Sequence, residues 1–362
     1  MSTSPYDSYR PPEPDRRGKR KGRRRAGGPR GGDGSREMPV VPDAEFGSYY
    51  GRPVVKAPPW ETDVAAYLFL GGLAGGSALL AAGAELTGQD LLRRSSRFAA
   101  IGAAGLGAVA LVRDLGRPER FLNMLRTVKL TSPMSVGSWI LAGFSTCAGV
   151  AAADELDRAT GGRIPLGRLR GLVRGAGTAG GLGAALLAPP LAAYTAVLLS
   201  DTAVPTWNEA REELPFVFVG SASLAAGGLA MITTPRAQTG PAQVLAMVGV
   251  AGELVASEVM ERRMDQTVVE TLHQGRAGTF LQVSKALAAG GGLGTLLAGR
   301  SRVVAVLSGA ALLASSALTR LGIFEAGLRS AEDPKYTVEP QKRRLAQRRA
   351  AGTTDDSITT GP

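Results

Sequence analysis

The sequence predicts an all-α integral membrane protein, a bundle of about eight transmembrane helices with disordered polar termini. Three observations carry this. The mean hydropathy is near zero, but the average hides two regimes: residues 1–57 and 326–362 are polar and charged, and the middle is apolar. Eight apolar runs, at about 62–84, 97–112, 134–153, 174–199, 215–233, 241–260, 279–299 and 302–319, meet or approach the roughly 20 residues that cross a bilayer as a helix. The runs are rich in Gly and Ala. Gly71 with Gly75, and Gly72 with Gly76, have the spacing that lets membrane helices pack backbone to backbone.

These regimes divide the chain into a basic tail (1–57), an eight-helix domain (58–325) and a polar C-terminal tail (326–362). The tail holds the block RRGKRKGRRR at Arg16–Arg25. We read it as a disordered segment touching acidic lipid and not as a nucleic-acid-binding element. The Arg16-Arg17 pair is no twin-arginine signal, because no apolar region follows until after residue 60. A multi-pass protein of the plasma (inner) membrane is the expected class. An even number of spans puts both termini on one side, called here the terminal end. Nine Lys and Arg in its short loops against eleven on the far side leave the orientation open.

At the start of the first run, Trp60 is an interfacial anchor, and Asp63 and Tyr67 lie four residues apart on one helix face. Between the second and third runs, Arg113–Trp139 carries too many charges to cross a bilayer, yet apolar residues such as Phe121, Met134 and Trp139 are interleaved with them. It reads as a structured cap at the membrane interface. In the fourth run Pro189-Pro190 removes backbone donors one turn before Tyr194. The following loop, Ser200 to Leu214, is acidic, with Asp201, Glu209, Glu212 and Glu213 around Trp207. Either this loop and the basic cap pair with each other, or both face a soluble partner. In the second case Arg117, Arg120 and Trp207 are the expected docking residues. Glu253 falls near the middle of the sixth run, Glu258 toward its end, and Lys285 early in the seventh. Intramembrane ionisable groups are costly and usually functional, so this group is either a proton path or a charge pair holding two helices in register.

Composition excludes much redox chemistry within the chain. It has one cysteine, Cys147, and one histidine, His273. A bis-histidine haem needs two imidazoles, an iron–sulphur cluster normally needs four thiolates, and structural zinc needs four Cys or His ligands. No metal site, haem or iron–sulphur cluster is assigned, and any such centre belongs to a partner.

Four segments, WETDVAAYLFLGGLAGG (Trp60–Gly76), DLGRPERF (Asp114–Phe121), TSPMSVGSW (Thr131–Trp139) and YTAVLLSDTAVPTWN (Tyr194–Asn208), together resemble the NrfD family. These are the integral membrane subunits of polysulfide reductase and related molybdopterin oxidoreductase complexes. The resemblance covers roughly residues 58–325. It implies a haem-free anchor that exchanges electrons with menaquinone or ubiquinone, in a polysulfide reductase-like or formate dehydrogenase-like complex. It also implies a ferredoxin-like iron–sulphur subunit at the terminal end and a molybdopterin catalytic subunit beyond. In the family, an Asn and a His on the first helix and a Tyr on the fourth hold the quinone. By motif position these correspond to Asp63, Tyr67 and Tyr194. Only Tyr194 is identical. A tyrosine at position 67 is a poor proton acceptor at neutral pH, so Asp63 becomes the expected catalytic base. The alternative is a transporter-like, proton- or ion-translocating subunit built on Glu253, Glu258 and Lys285. A purely structural anchor is a third reading.

Overall fold

The computed structural model describes residues 52–351 apart from 116, 118, 120, 164 and 166, and omits the side chain of Leu122. The basic block at Arg16–Arg25, and Arg120 among the expected docking residues, lie outside the described residues.

The described chain is helical, as expected. Eight long helices dominate: α1 (Thr62–Leu86), α2 (Asp90–Asp114), α4 (Pro133–Ala159), α5 (Arg170–Ser200), α7 (Leu214–Thr233), α8 (Gly240–Arg263), α10 (Gly275–Leu297) and α11 (Arg302–Glu332). Short helices α3 (Phe121–Met124), α6 (Pro205–Glu209) and α9 (Gln266–His273) lie in the connections, and α12 (Lys335–Ala350) ends the described chain. Proline stands in the first turn of α4, α6, α7 and α8. There its fixed φ suits the helix and its missing N–H costs nothing. Asp265 caps α9 by accepting from the Thr267 N–H at 2.9 Å.

Seven of the long helices are long and apolar enough to cross a membrane. The other is α10, where Gln282, Lys285 and the Gly290–Gly292 run dilute the apolar residues. Two ends differ from expectation. Helix α2 starts at Asp90, ahead of the apolar run, because Arg93 and Arg97 are held by carboxylates of neighbouring helices. Helix α11 continues past residue 319 to Glu332, and the polar C-terminal segment is helical as far as Ala350. The proline pair does not interrupt α5, which runs unbroken to Ser200.

Sequence neighbours pair as hairpins, α1 with α2, α4 with α5, α7 with α8 and α10 with α11. Helices α1 and α7 form the centre and are the most buried. A Cβ added at Gly75 would stand 2.9 Å from the Ala188 carbonyl oxygen of α5, and one at Gly76 would stand 2.7 Å from the Ala222 oxygen of α7. Only glycine allows these approaches, so the GxxxG spacing is used on both sides of α1. At the terminal end Trp60 stacks on Trp207, 5.7 Å between centroids. The Thr206 N–H there donates to Ser330 at 3.2 Å, so the start of α1 and the end of α11 share this end.

Candidate functional site

Tyr67 on α1 is fully buried and faces α5. Its phenol hydroxyl hydrogen-bonds the hydroxyl of Tyr194, with the ring centroids 6.3 Å apart and the planes at 58°. Glycines make the room. Gly107 of α2 lies against the Tyr67 ring, and a side chain at Gly137 of α4 would overlap the ring of Tyr194. Four helices thus converge on two tyrosines whose spacing in sequence gives no sign of contact. Asp63 sits one turn before Tyr67 and pairs with Arg113 at 3.6 Å, where both side chains reach solvent. The Glu61 N–H donates to Asp114 at 3.4 Å, tying the end of α2 to the start of α1. Tyr67 and Tyr194 are therefore brought together, and Asp63 lies one turn before Tyr67, paired with Arg113 at the α1–α2 seam.

The expected group Glu253, Glu258 and Lys285 is split. Glu258 is exposed and bonds Arg262 on its own helix at 2.7 Å. Lys285 pairs with Glu261 at 2.6 Å, and His273 meets the same carboxylate at 3.1 Å. A helix presents Glu258 and Glu261 on adjacent faces, and the sequence alone did not say which one faces α10. Glu253 is buried and accepts from the Thr319 hydroxyl at 2.5 Å, while its second oxygen, with the Ser221 hydroxyl nearby, has no well-formed hydrogen bond among the described residues. Glu253 and Lys285 nevertheless line one cleft between α8, α10 and α11, with Ser257, Glu261, Ser284 and Thr319.

Behind Glu253 lies Arg320, which the sequence reading missed. It is completely buried and donates to the Leu68 carbonyl at 2.9 Å and the Phe218 carbonyl at 2.7 Å. Its guanidinium stacks 3.8 Å from the Phe218 centroid. A helical carbonyl has a second lone pair, so it can accept this bond without giving up its own. A Cβ at Gly72 would come within 2.8 Å of the guanidinium. A hydroxyl ladder continues from Thr319 to Ser284 at 2.6 Å and from Ser284 to Ser315 at 3.0 Å.

Trp207, expected to face a partner, is turned inward within this chain. It is fully buried, donates to the Ile323 carbonyl at 2.8 Å and packs on Phe324, because Pro205 starts a helix that turns the indole into the core. Arg117 is exposed. The acidic loop finds its cations elsewhere than in the basic cap: Glu213 pairs with Arg263 at 2.8 Å and Glu209 with Arg344 at 2.5 Å.

At the far end, a second network also went unread. Arg97 bonds Glu85 at 2.8 Å, Asp154 at 3.1 Å and Glu155 at 3.3 Å, and Arg93 bonds Glu155 at 2.9 Å.

A family model described as polysulphide reductase, NrfD, matches residues 54–261, more than half of the chain. The match takes in the tyrosine pair, Asp63 and Glu253. A comparison with curated proteins finds no significant match. With its helices long and apolar enough to span a bilayer and its matched segment covering α1 through most of α8, the chain belongs to the NrfD family of polysulphide reductase membrane subunits.

Proposed function

We propose that the chain is the quinone-reacting membrane anchor of a plasma (inner) membrane oxidoreductase, passing electrons between menaquinone or ubiquinone and an iron–sulphur subunit that serves a molybdopterin partner. The observation that carries the reading is the buried Tyr67–Tyr194 hydroxyl pair, one helical turn from Asp63 at the terminal end. Each phenol can donate to a carbonyl oxygen, the acceptor a quinone offers, so the donor set fits the group. The two tyrosines are in contact, so a quinone headgroup reaching them must swing their side chains apart while the α1 and α5 backbones stay in contact at Gly75. Each then exchanges its bond to the other tyrosine for one to the ligand. The bound quinone would supply two-electron, two-proton chemistry. Asp63 is placed to exchange the proton with water, and Arg113 holds its carboxylate at the seam.

Quinol-linked turnover of assembled complexes tests this. Asp63→Ala should lose most activity. Tyr67→Phe and Tyr194→Phe each remove one hydroxyl and should weaken quinol binding by about 0.5–1.5 kcal/mol. Wild-type quinol kinetics in all three would place the site elsewhere.

A second role has its own observation, the Glu253 oxygen that lacks a well-formed hydrogen bond beside the cleft. Buried polar atoms of this kind are commonly met by water. We propose that Lys285, Glu261 and Ser284 admit water to Glu253, making this carboxyl a proton-exchanging group.

A further inference from the structure

The charge that the terminal end presents outward differs from the one its loops suggest. Four carboxylates that would face a partner are already occupied. Glu209 is held by Arg344, Glu213 by Arg263, Asp265 by Arg343 at 2.7 Å and Glu270 by Lys335 at 2.6 Å. Three of these four cations come from α12. The first half of that helix is a strap along α9, where Tyr336 and Pro340 are buried and Glu339 accepts from Thr267. The second half is different. Every residue from Gln341 to Ala350 is exposed, and these ten carry Lys342, Arg343, Arg344, Arg348 and Arg349 with no acid among them.

We infer that this exposed half of α12 is a docking arm for an acidic face of a soluble protein at the terminal end. The inference rests on the reading that the chain anchors an iron–sulphur subunit there. The cations surround the helix instead of sharing one side, so it lacks the apolar face that lets a basic helix lie in a bilayer interface. A helix polar all round buries no face of its own, and bridging between domains is one setting in which such helices occur. Arg343 and Arg344 already hold Asp265 and Glu209, so the outward charge of this half is that of Arg348 and Arg349, for which no pairing carboxylate is seen among the described residues. The last-turn cations Arg348 and Arg349 also suit the helix dipole, so the tip stays helical with its charge directed outward. The arm lies beyond the family-matched segment, which ends at residue 261.

The test uses the tagged full-length chain, purified from its own membranes with whatever it retains. Iron bound per chain is followed as salt is raised. Wild type should keep iron at low salt and lose it as salt rises, because facing surface charges are screened. Arg348→Glu with Arg349→Glu leaves the strap contacts of Arg343 and Arg344 intact. It should release the iron at distinctly lower salt, with severalfold less retained at physiological ionic strength, while Arg348→Lys with Arg349→Lys should behave as wild type. In the lysine variant a zero-length carbodiimide should couple residue 348 or 349 to an Asp or Glu of the iron-bearing polypeptide. An unchanged salt profile in the glutamate variant overturns the arm alone. So does a variant that keeps its iron but loses binding to vesicles rich in phosphatidylglycerol, which would make lipid the occupant. A wild-type chain without iron at low salt overturns the arm together with the functional reading beneath it.

Discussion

The two buried charge clusters of this protein are built on opposite plans. At the far end, every buried charge has an opposite charge beside it: Arg93 and Arg97 are surrounded by Glu85, Asp154 and Glu155 from α1 and α4. In the core, Arg320 bonds backbone carbonyls and Glu253 bonds a hydroxyl, and no direct ion pair joins the two among the described residues. The first plan compensates desolvation with opposite charges and ties three helix ends, of α1, α2 and α4, in register. The second leaves an ionisable group with an open oxygen facing a cleft. Burial of charge is common to both, so burial alone does not mark function. The difference lies in what the partners are, opposite charges at the far end and neutral backbone or hydroxyl groups in the core.

Three experiments break or sharpen that contrast. The largest effect is expected at the far end. Glu155→Ala strips a shared partner from Arg93 and Arg97 and should cost about 3–5 kcal/mol of stability, the range for breaking a buried pair. Thermal denaturation in detergent would show it, with quinol turnover per folded molecule unchanged. Turnover lost without loss of stability would give the far end a functional role and erase the contrast. Glu253→Gln should do the reverse. The amide still accepts from Thr319, so the melting temperature should hardly move, while proton uptake coupled to quinol turnover slows. A fully coupled variant would remove Glu253 from the chemistry. The smallest effect is expected outside the membrane. The hydrogen bond to Glu270 raises the Lys335 pKa above its ordinary value. A raised folded-state value contributes stability below the unfolded value of about 10.4 and loses it as pH climbs through the folded one. The pair is largely exposed, so its share stays under about 1 kcal/mol. The protection of α12 amides, exchange corrected for its hydroxide catalysis, should therefore be steady from neutral pH to about 10 and fall only above that. Release of the strap near neutrality would assign its hold to other contacts.

Much of the architecture was legible because a bilayer demands long apolar helices, and their runs show in one dimension. What stayed hidden depends on which helix faces which. The second apolar run begins only at residue 97, because charge hides the first turns of a helix, although α2 starts at Asp90 and carries Arg93 and Arg97 inward. Arg320 was missed because it stands one residue past the eighth run as drawn, while α11 continues another twelve residues beyond it. An arginine just inside an extended helix is the signal that would have found it. Trp207 sits among carboxylates in sequence, and only the turn begun at Pro205 sends it inward. The tyrosine pair was readable as a site by resemblance, but its hydroxyl contact depends on glycines contributed by α2 and α4.

The glycine contacts of α1 also bear on what kind of machine this is. A carrier that opens alternately to each side needs two halves able to rock about a hinge. Here the middle helix meets the backbone of α5 through Gly75 and that of α7 through Gly76. Interlocked main chains on both flanks make α1 a fixed axle, and a tilt of either neighbour would drive carbonyl into carbon. Such a frame is compatible with the relay proposed above, which asks for no rocking of α5 or α7 about α1.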